Sequence, residues 1–258
     1  MWITGLVLVA VAIEAAAAWR LRRPLYELRD SEISLGLASG WVISGVIGAG
    51  LMFLTIGFGY QHRILDLGAL PWGGVALIVI ADLIYYIWHR LNHIVPWLWA
   101  SHFPHHTAKR LNVLASIRQG WTDVISGAWL FWSGLGFLGF TPLQTGFYFS
   151  LLLVWDACVH SEWAPKLGPL EWIFVTPSHH RVHHSLHPAH VDRNFGGIFI
   201  LWDRFFGTLA VEGAARITAF GLAGFDSDRF GPLQTATRQW RVLLSGARAS
   251  AEAPVSPT

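Results

Sequence analysis

An all-α, polytopic membrane protein with about four to five transmembrane helices and a cytoplasmic His-rich helical cap is the fold class the sequence predicts. Three observations carry that expectation. Of the 258 residues, 13% are charged and 53% hydrophobic, with a mean hydropathy of +0.43; a soluble domain carries about twice that share of charge. Long stretches hold no charged residue at all. The 15 tryptophans suit a chain that crosses the bilayer interface, where indole rings concentrate.

The first span is expected over residues 2–19, where only Glu14 is charged. Arg20, Arg22 and Arg23 follow this apolar run instead of preceding it, the pattern of an uncleaved anchor with its N-terminus outside. Residues 33–61 hold no Asp, Glu, Lys, Arg or His and make a second span. A third runs from Leu70 to Trp88 and contains Asp82. Residues 124–155 are again uncharged; with their flanks, 121–159, they read as a helical hairpin turning at Thr141-Pro142. Beyond 160 the chain is polar, with apolar pieces such as Gly197-Ile-Phe-Ile-Leu-Trp202 that are too short to span and are expected to pack as the cap. The Ala-, Ser- and Pro-rich tail, 245–258, is expected to be disordered. With no internal repeat and no second domain visible, residues 1–258 read as a single membrane domain. Threaded this way, only Arg63 of the 18 Lys and Arg lies outside, so the multi-pass topology puts the histidines on the cytoplasmic side.

Of the 13 histidines, every one but His62 falls on that side. The third span ends in His89 and His93; then come His102, His105 and His106, then His160-Ser-Glu, then Thr176-Pro-Ser-His179-His180-Arg-Val-His183-His184. Residues four apart stack on one helix face, so His89 and His93 can converge on one ion. Within each His-x-x-His-His, the first two histidines are expected to share a face and the third, rotated by about 100°, to serve a neighbouring ion. These groups supply eight imidazoles, enough for two metals with positions left open. Imidazole alone does not choose among zinc, iron, copper and nickel. The absence of His-Glu-x-x-His argues against a zinc protease, and that of paired Glu-x-x-His against a carboxylate di-iron bundle. An iron pair at the bilayer surface would suit oxygen activation beside a C–H bond of a membrane-dissolved substrate. The single cysteine, Cys158, excludes an internal disulfide and any Cys-based metal site.

The order His89-x3-His93, His102-x2-His105-His106, His180-x2-His183-His184 resembles the fatty acid hydroxylase and sterol desaturase superfamily of membrane di-iron oxygenases. Asn194-Phe-Gly-Gly197 leading into Trp202-Asp-Arg-Phe-Phe-Gly-Thr208 reinforces the resemblance, which covers a catalytic region of about residues 75–212. Tyr85-Tyr86, Asn112, Arg118-Gln119 and His160-Ser-Glu162 are similar to the alkylglycerol monooxygenase-like branch, which hydroxylates the carbon beside the ether oxygen of glycerol ether lipids with a reduced pterin. The resemblance implies His89, His93, His102, His105, His106, His180, His183 and His184 as ligands, with His160 as a ninth. It implies two iron ions, with zinc able to substitute. His179, His187 and His190 are candidates for a ligand or an outer partner. Asp82, two turns before His89, is expected to accept a hydrogen bond from a ligand imidazole, and Asp203 to fix the fold of the cap.

The expected function is a membrane-bound, O2-dependent di-iron oxygenase that hydroxylates or desaturates a C–H bond of a lipid. The same superfamily leaves a carotenoid or sterol ring open as the substrate. A different class, a non-catalytic metal-binding or metal-transporting membrane protein, would need polar ligands near mid-membrane, where only Asp82 and Glu14 stand. The one Gly-x-Gly-x-x-Gly, Gly134 to Gly139, lies inside the uncharged run of the hairpin and does not read as a nucleotide-binding loop, and no haem domain is visible, so electrons must come from a redox protein or a reduced pterin. The expected partners are therefore a membrane lipid and an electron donor, not a nucleic acid.

Overall fold

A computed structural model describes residues 2–245; the expected disordered tail lies, apart from Ser245, outside the described residues. Helix α1 spans Trp2–Arg20 and α2 spans Leu28–Gln61. After a short 3-10 turn come α3, Gly73–Ile94, and α4, Pro96–His106. Four-residue helices α5, Val113–Ser116, and α6, Asp123–Ser126, lead to α7, Ala128–Phe137, and α8, Pro142–Val159. The rest folds into α9, Pro177–His183, α10, Leu201–Phe206, and α11, Pro232–Leu244, joined by 3-10 turns and loops. No strand forms among the described residues; two isolated β-bridges, Phe174 to Phe199 and Ser185 to Phe220, tie the C-terminal loops together.

Among the described residues two helices, α2 and α3, are long and apolar enough to cross a membrane. The outer side of α2 carries Ile43 at 72% exposure, Val46 at 70% and Leu54 at 67%, a surface suited to lipid and costly in water. The hairpin turns where the sequence predicts, with Pro142 at the first position of α8 and Thr141 capping it through a bond from Gln144 N at 3.2 Å. Its first arm differs from expectation: Gly127 takes a left-handed conformation, φ 81°, and separates α6 from α7. With ten residues, α7 rises roughly 15 Å, about half a bilayer core. The main core joins Leu77 and Ala81 of α3 to Trp132 and Leu135 of α7 and to Tyr148 and Leu152 of α8.

Buried charges lock the ends of these helices. Glu14 accepts from Tyr26 Oη at 2.6 Å, Val113 N at 2.8 Å and Trp163 Nε1 at 3.3 Å, fixing α1 to three other segments. Arg118 is fully buried and bonds Asp30 of α2 at 2.8 Å and the Thr107 hydroxyl at 2.8 Å. It holds the C-terminus of α4 against the start of α2. Helix α11 lies across α4, with Trp240 Nε1 donating to Thr122 at 2.7 Å.

Candidate metal centre

The histidines of α3, α4, α9 and the end of α8 meet in two adjoining groups. One ring nitrogen from each of His89, His93, His102, His106 and His183 lies within 4.8 Å of the others; His105, His160, His180 and His184 form the second group by the same measure. The expected division of each His-x-x-His-His is corrected here. The first and third histidines, four apart, stay together, and the middle one crosses to the other group: His105 leaves His102 and His106, and His183 leaves His180 and His184. The helical period accounts for this, because i+4 returns to within about 40° of i whereas i+3 falls about 60° to the other side. The exchange interlocks the two groups, with His106 and His184 stacked at 4.6 Å.

Local hydrogen bonds settle which nitrogen of several rings carries its hydrogen. His89 Nδ1 faces Phe195 O at 2.9 Å, His183 Nδ1 faces Arg193 O at 2.8 Å, and His160 Nδ1 faces Asp156 O at 2.7 Å. A carbonyl only accepts, so each Nδ1 donates and each Nε2 presents a bare lone pair to the interior. His93 Nδ1 faces the Asp192 carboxylate at 3.3 Å. The Nε2 atoms of His93 and His183 are buried with no hydrogen-bond partner. His102 Nε2 stands 3.1 Å from both His89 Nε2 and His106 Nε2. His180 Nε2 stands 2.9 Å from His160 Nε2 and 3.1 Å from His184 Nε2. One ring hydrogen cannot satisfy both neighbours. Two imidazole nitrogens sharing an ion at about 2.1 Å would sit roughly 3 Å apart. The residues therefore fit a metal in each group.

A cavity of about 520 Å³ opens beside the histidines. Its walls are mostly apolar, with Met52 and Ile56 of α2, Trp132 of α7 and Phe149 of α8, and its lining also takes in His102 of one group and His105 of the other.

A family model described as fatty acid hydroxylase matches residues 74–208. The chain belongs to the fatty acid hydroxylase family. It is 40% identical over 147 residues to an alkylglycerol monooxygenase of Danio rerio, covering 55% of this chain and 32% of that protein. It is 36% identical over 142 residues to the alkylglycerol monooxygenase of Homo sapiens, covering 55% and 32%. An ornithine lipid hydroxylase of Rhizobium tropici is 32% identical over 148 residues, covering 57% and 44%. The match thus takes in less than half the length of these relatives. No solved structure matches the chain.

The remaining predicted residues lie outside both histidine groups. Asp82 touches no imidazole, a correction to its expected role: its carboxylate accepts from Ile198 N at 2.8 Å, Phe199 N at 3.0 Å, Trp202 Nε1 at 3.1 Å and Tyr148 Oη at 3.3 Å. Four donors, from α8, α10 and the two residues after Gly197, exhaust it. His179 sits three residues after Thr176, where its Nδ1 accepts the Thr176 N–H at 3.3 Å and so caps α9. His187 Nδ1 accepts from Ala189 N at 3.2 Å, and His190 Nδ1 pairs with the Ser185 hydroxyl at 3.0 Å. Asp203 accepts from Phe195 N and Gly196 N, both at 2.8 Å, and holds the loop that carries the Phe195 carbonyl.

Sequence reasoning missed that loop. Asp192, Arg193 and Phe195 supply acceptors to His93, His183 and His89, with Asp192 and Asn194 both left-handed at φ 56° and 59°. Two of the three acceptors are backbone carbonyls, which no side-chain pattern announces; Asp192 and Asn194, residue types that tolerate the left-handed region, were the available hint. Arg181, between the ligand candidates, was also passed over. It is fully buried, grips Glu212 at 2.8 and 2.6 Å and reaches Ser161 O at 3.0 Å, locking α9 to the chain after α8.

Burial, then the charge of neighbouring imidazoles, holds His102, His105, His106, His180 and His184 well below the ordinary histidine range. Neutral rings are the ligand-ready form. Above about pH 6.5 these rings are neutral both folded and unfolded. Below it the unfolded chain takes up protons that the folded chain refuses, so stability falls with pH at up to about 1.4 kcal/mol per group per unit. The melting temperature of chelator-treated protein should therefore be flat above pH 7 and drop steadily from pH 6.5 to 5. A melting temperature that held or rose over that range would contradict the neutral cluster.

Proposed function

We propose that this chain is a membrane-embedded oxygenase that uses two iron ions and O2 to hydroxylate a C–H bond of a polar lipid. The observation that carries the reading is that one mostly apolar cavity is lined by a histidine of each of the two imidazole groups, His102 and His105. His89, His93, His102, His106 and His183 would hold one ion, and His105, His160, His180 and His184 the other, with zinc able to stand in for iron. When bound, the metal pair supplies dioxygen activation and the oxidising power for hydroxylation.

The chain's own residues do the rest. The walls from α2, α7 and α8 take up the alkyl chain and keep water from the histidines in the lining. Phe195 O, Arg193 O, Asp192 and Asp156 O fix ring tautomers and aim the Nε2 lone pairs inward. Arg118 and Arg181 hold the two His-x-x-His-His segments in register. Relatives named for alkylglycerol and for ornithine lipid support a polar lipid as substrate. Electrons come from a redox protein or a reduced pterin. Desaturation is the second outcome open to the site, since the same first hydrogen abstraction precedes both.

The test is lipid mass spectrometry of membranes with and without the protein, supplied with iron and reductant. A lipid gaining one oxygen atom supports hydroxylation, and one losing two hydrogens supports desaturation. A lipid profile unchanged at verified metal occupancy would sink the reading.

The arrangement extends to four or five spans, with α1 and the hairpin of α7 and α8, both of whose ends lie on the cytoplasmic side, joining α2 and α3, and with the N-terminus outside and the histidines cytoplasmic. A reporter fused after Thr258 should then be cytoplasmic, and one inserted near Asp66 should be outside. Cytoplasmic labelling near Asp66 would overturn this topology.

A further inference from the structure

The wall of the cavity is apolar along most of its length, and its polar side chains are unevenly placed. Asp123, Asp156, Gln119 and Tyr85 line it together with His102 and His105, and no Lys or Arg does. In the sequence the two aspartates bracket the uncharged run of residues 124–155. Ser44 and Thr145, also on the wall, bond to carbonyls of their own helices or caps and ask nothing of a ligand. The carboxylate of Asp123 and the hydroxyl of Tyr85 have no hydrogen-bond partner among the described residues. Asp156 Oδ1 lies 3.4 Å from His160 Nδ1, whose hydrogen already goes to Asp156 O at 2.7 Å. Tyr85 stands edge-on to His89, with ring centroids 5.4 Å apart. Unmet acceptors thus lie beside both histidine groups.

A carboxylate facing an apolar chamber without a donor is costly, and a ligand that brings donors removes that cost. In its ionised form such a carboxylate repels a ligand that brings a second negative charge, a repulsion little screened at low dielectric. We propose that Asp123 and Asp156 are specificity-determining residues, which select a lipid whose headgroup donates hydrogen bonds and carries no negative charge, a hydroxyl or an ammonium, and reject a phosphate. The headgroup sits at the histidine end, with Tyr85 as a further partner, and the alkyl chain lies along α2, α7 and α8. This rests on the reading of the cavity as the substrate's place.

The experiment measures binding without turnover, so it can fail or succeed independently of the oxygenase reading. Full-length protein in nanodiscs is titrated with three brominated probes of equal chain length: a 1-O-alkylglycerol, an alkylamine and an alkyl phosphate. Quenching of Trp41, Trp88, Trp129 and Trp132, which line the cavity, reports occupancy. At least one of the first two should bind about tenfold or more tighter than the phosphate; which one identifies the donor as hydroxyl or ammonium. Asp123→Asn and Asp156→Asn should each narrow that ratio severalfold at unchanged metal content. If Asp156→Asn loses metal through its neighbour His160, Asp123→Asn carries the test, since it lies outside both histidine groups. Phosphate binding equal to the best neutral or cationic probe, no quenching by any probe, or a ratio unmoved in Asp123→Asn would overturn the proposal.

Discussion

Alanine at His183 should leave the purified protein well short of the roughly two ions per chain expected of the wild type, and should abolish lipid turnover. His183 Nε2 is buried with no partner, in the first histidine group, while its Nδ1 is held by Arg193 O at 2.8 Å. Its ring also lies 4.8 Å from that of His106 and 5.1 Å from that of His184, at the seam between the groups. Removing it deletes a bond to the ion, so the loss should exceed the roughly 10–100-fold typical of outer partners. The same holds for alanine at His89, His93, His102, His105, His106, His160, His180 or His184. His62 is the internal control: it is exposed at the C-terminus of α2, with Nδ1 bonded to Phe58 O at 2.9 Å, and belongs to neither group. His62→Ala should change neither metal content nor activity, and His187→Ala and His190→Ala should lose less than about 100-fold. Metal assay alongside product formed at matched expression decides. A wild-type stoichiometry near one, or several of the nine tolerating alanine, would break the assignment of ligands.

Much of this centre was legible in the residues because helical spacing is a strong constraint. A histidine followed by another at i+4 has one geometry available on a helix, so the pair 89/93 is found by counting; the same count applied to 102/106 and 180/184 gives their grouping, where the expectation followed the three-residue spacing instead. That the middle histidines, His105 and His183, each land in the opposite group could not be counted, because it depends on how α4 and α9 face each other, and that is set by Arg118, Arg181 and their distant partners Asp30 and Glu212. The all-helical class followed from composition and long uncharged runs. The break at Gly127 hid inside one of those runs, since a left-handed glycine leaves no mark on hydropathy. Asp82 misled for a physical reason: a buried carboxylate near histidines must find donors, and here the nearest were backbone amides of a loop more than a hundred residues away.

That loop gives the second large effect. Asp203→Ala should weaken metal binding although Asp203 touches no histidine. Its Oδ1 accepts from Phe195 N at 2.8 Å and from Thr208 Oγ1 at 2.6 Å, and its Oδ2 from Gly196 N at 2.8 Å. Asp82 takes the amides of Ile198 and Phe199 in the same way. Two buried carboxylates therefore pin the loop on either side of Gly197, where a Cβ would lie 2.8 Å from Asp82 Oδ1 and 2.8 Å from Tyr85 Cδ1. The pinned loop aims Phe195 O at His89 Nδ1. Alanine at 203 leaves two buried amides without partners, at about 1–3 kcal/mol each, and frees the carbonyl that orients His89. Metal affinity should drop roughly 10–100-fold, with a lowered melting temperature. Asp203→Asn keeps one carbonyl oxygen and should fall between alanine and wild type. Asp66→Ala, which removes only a half-exposed pair with Arg63, should cost no more than about 1 kcal/mol and leave affinity alone. Chelator competition and thermal unfolding measure the two quantities. Affinity within twofold of wild type in Asp203→Ala, despite a clear loss of stability, would mean that the loop supports the fold without aiming His89.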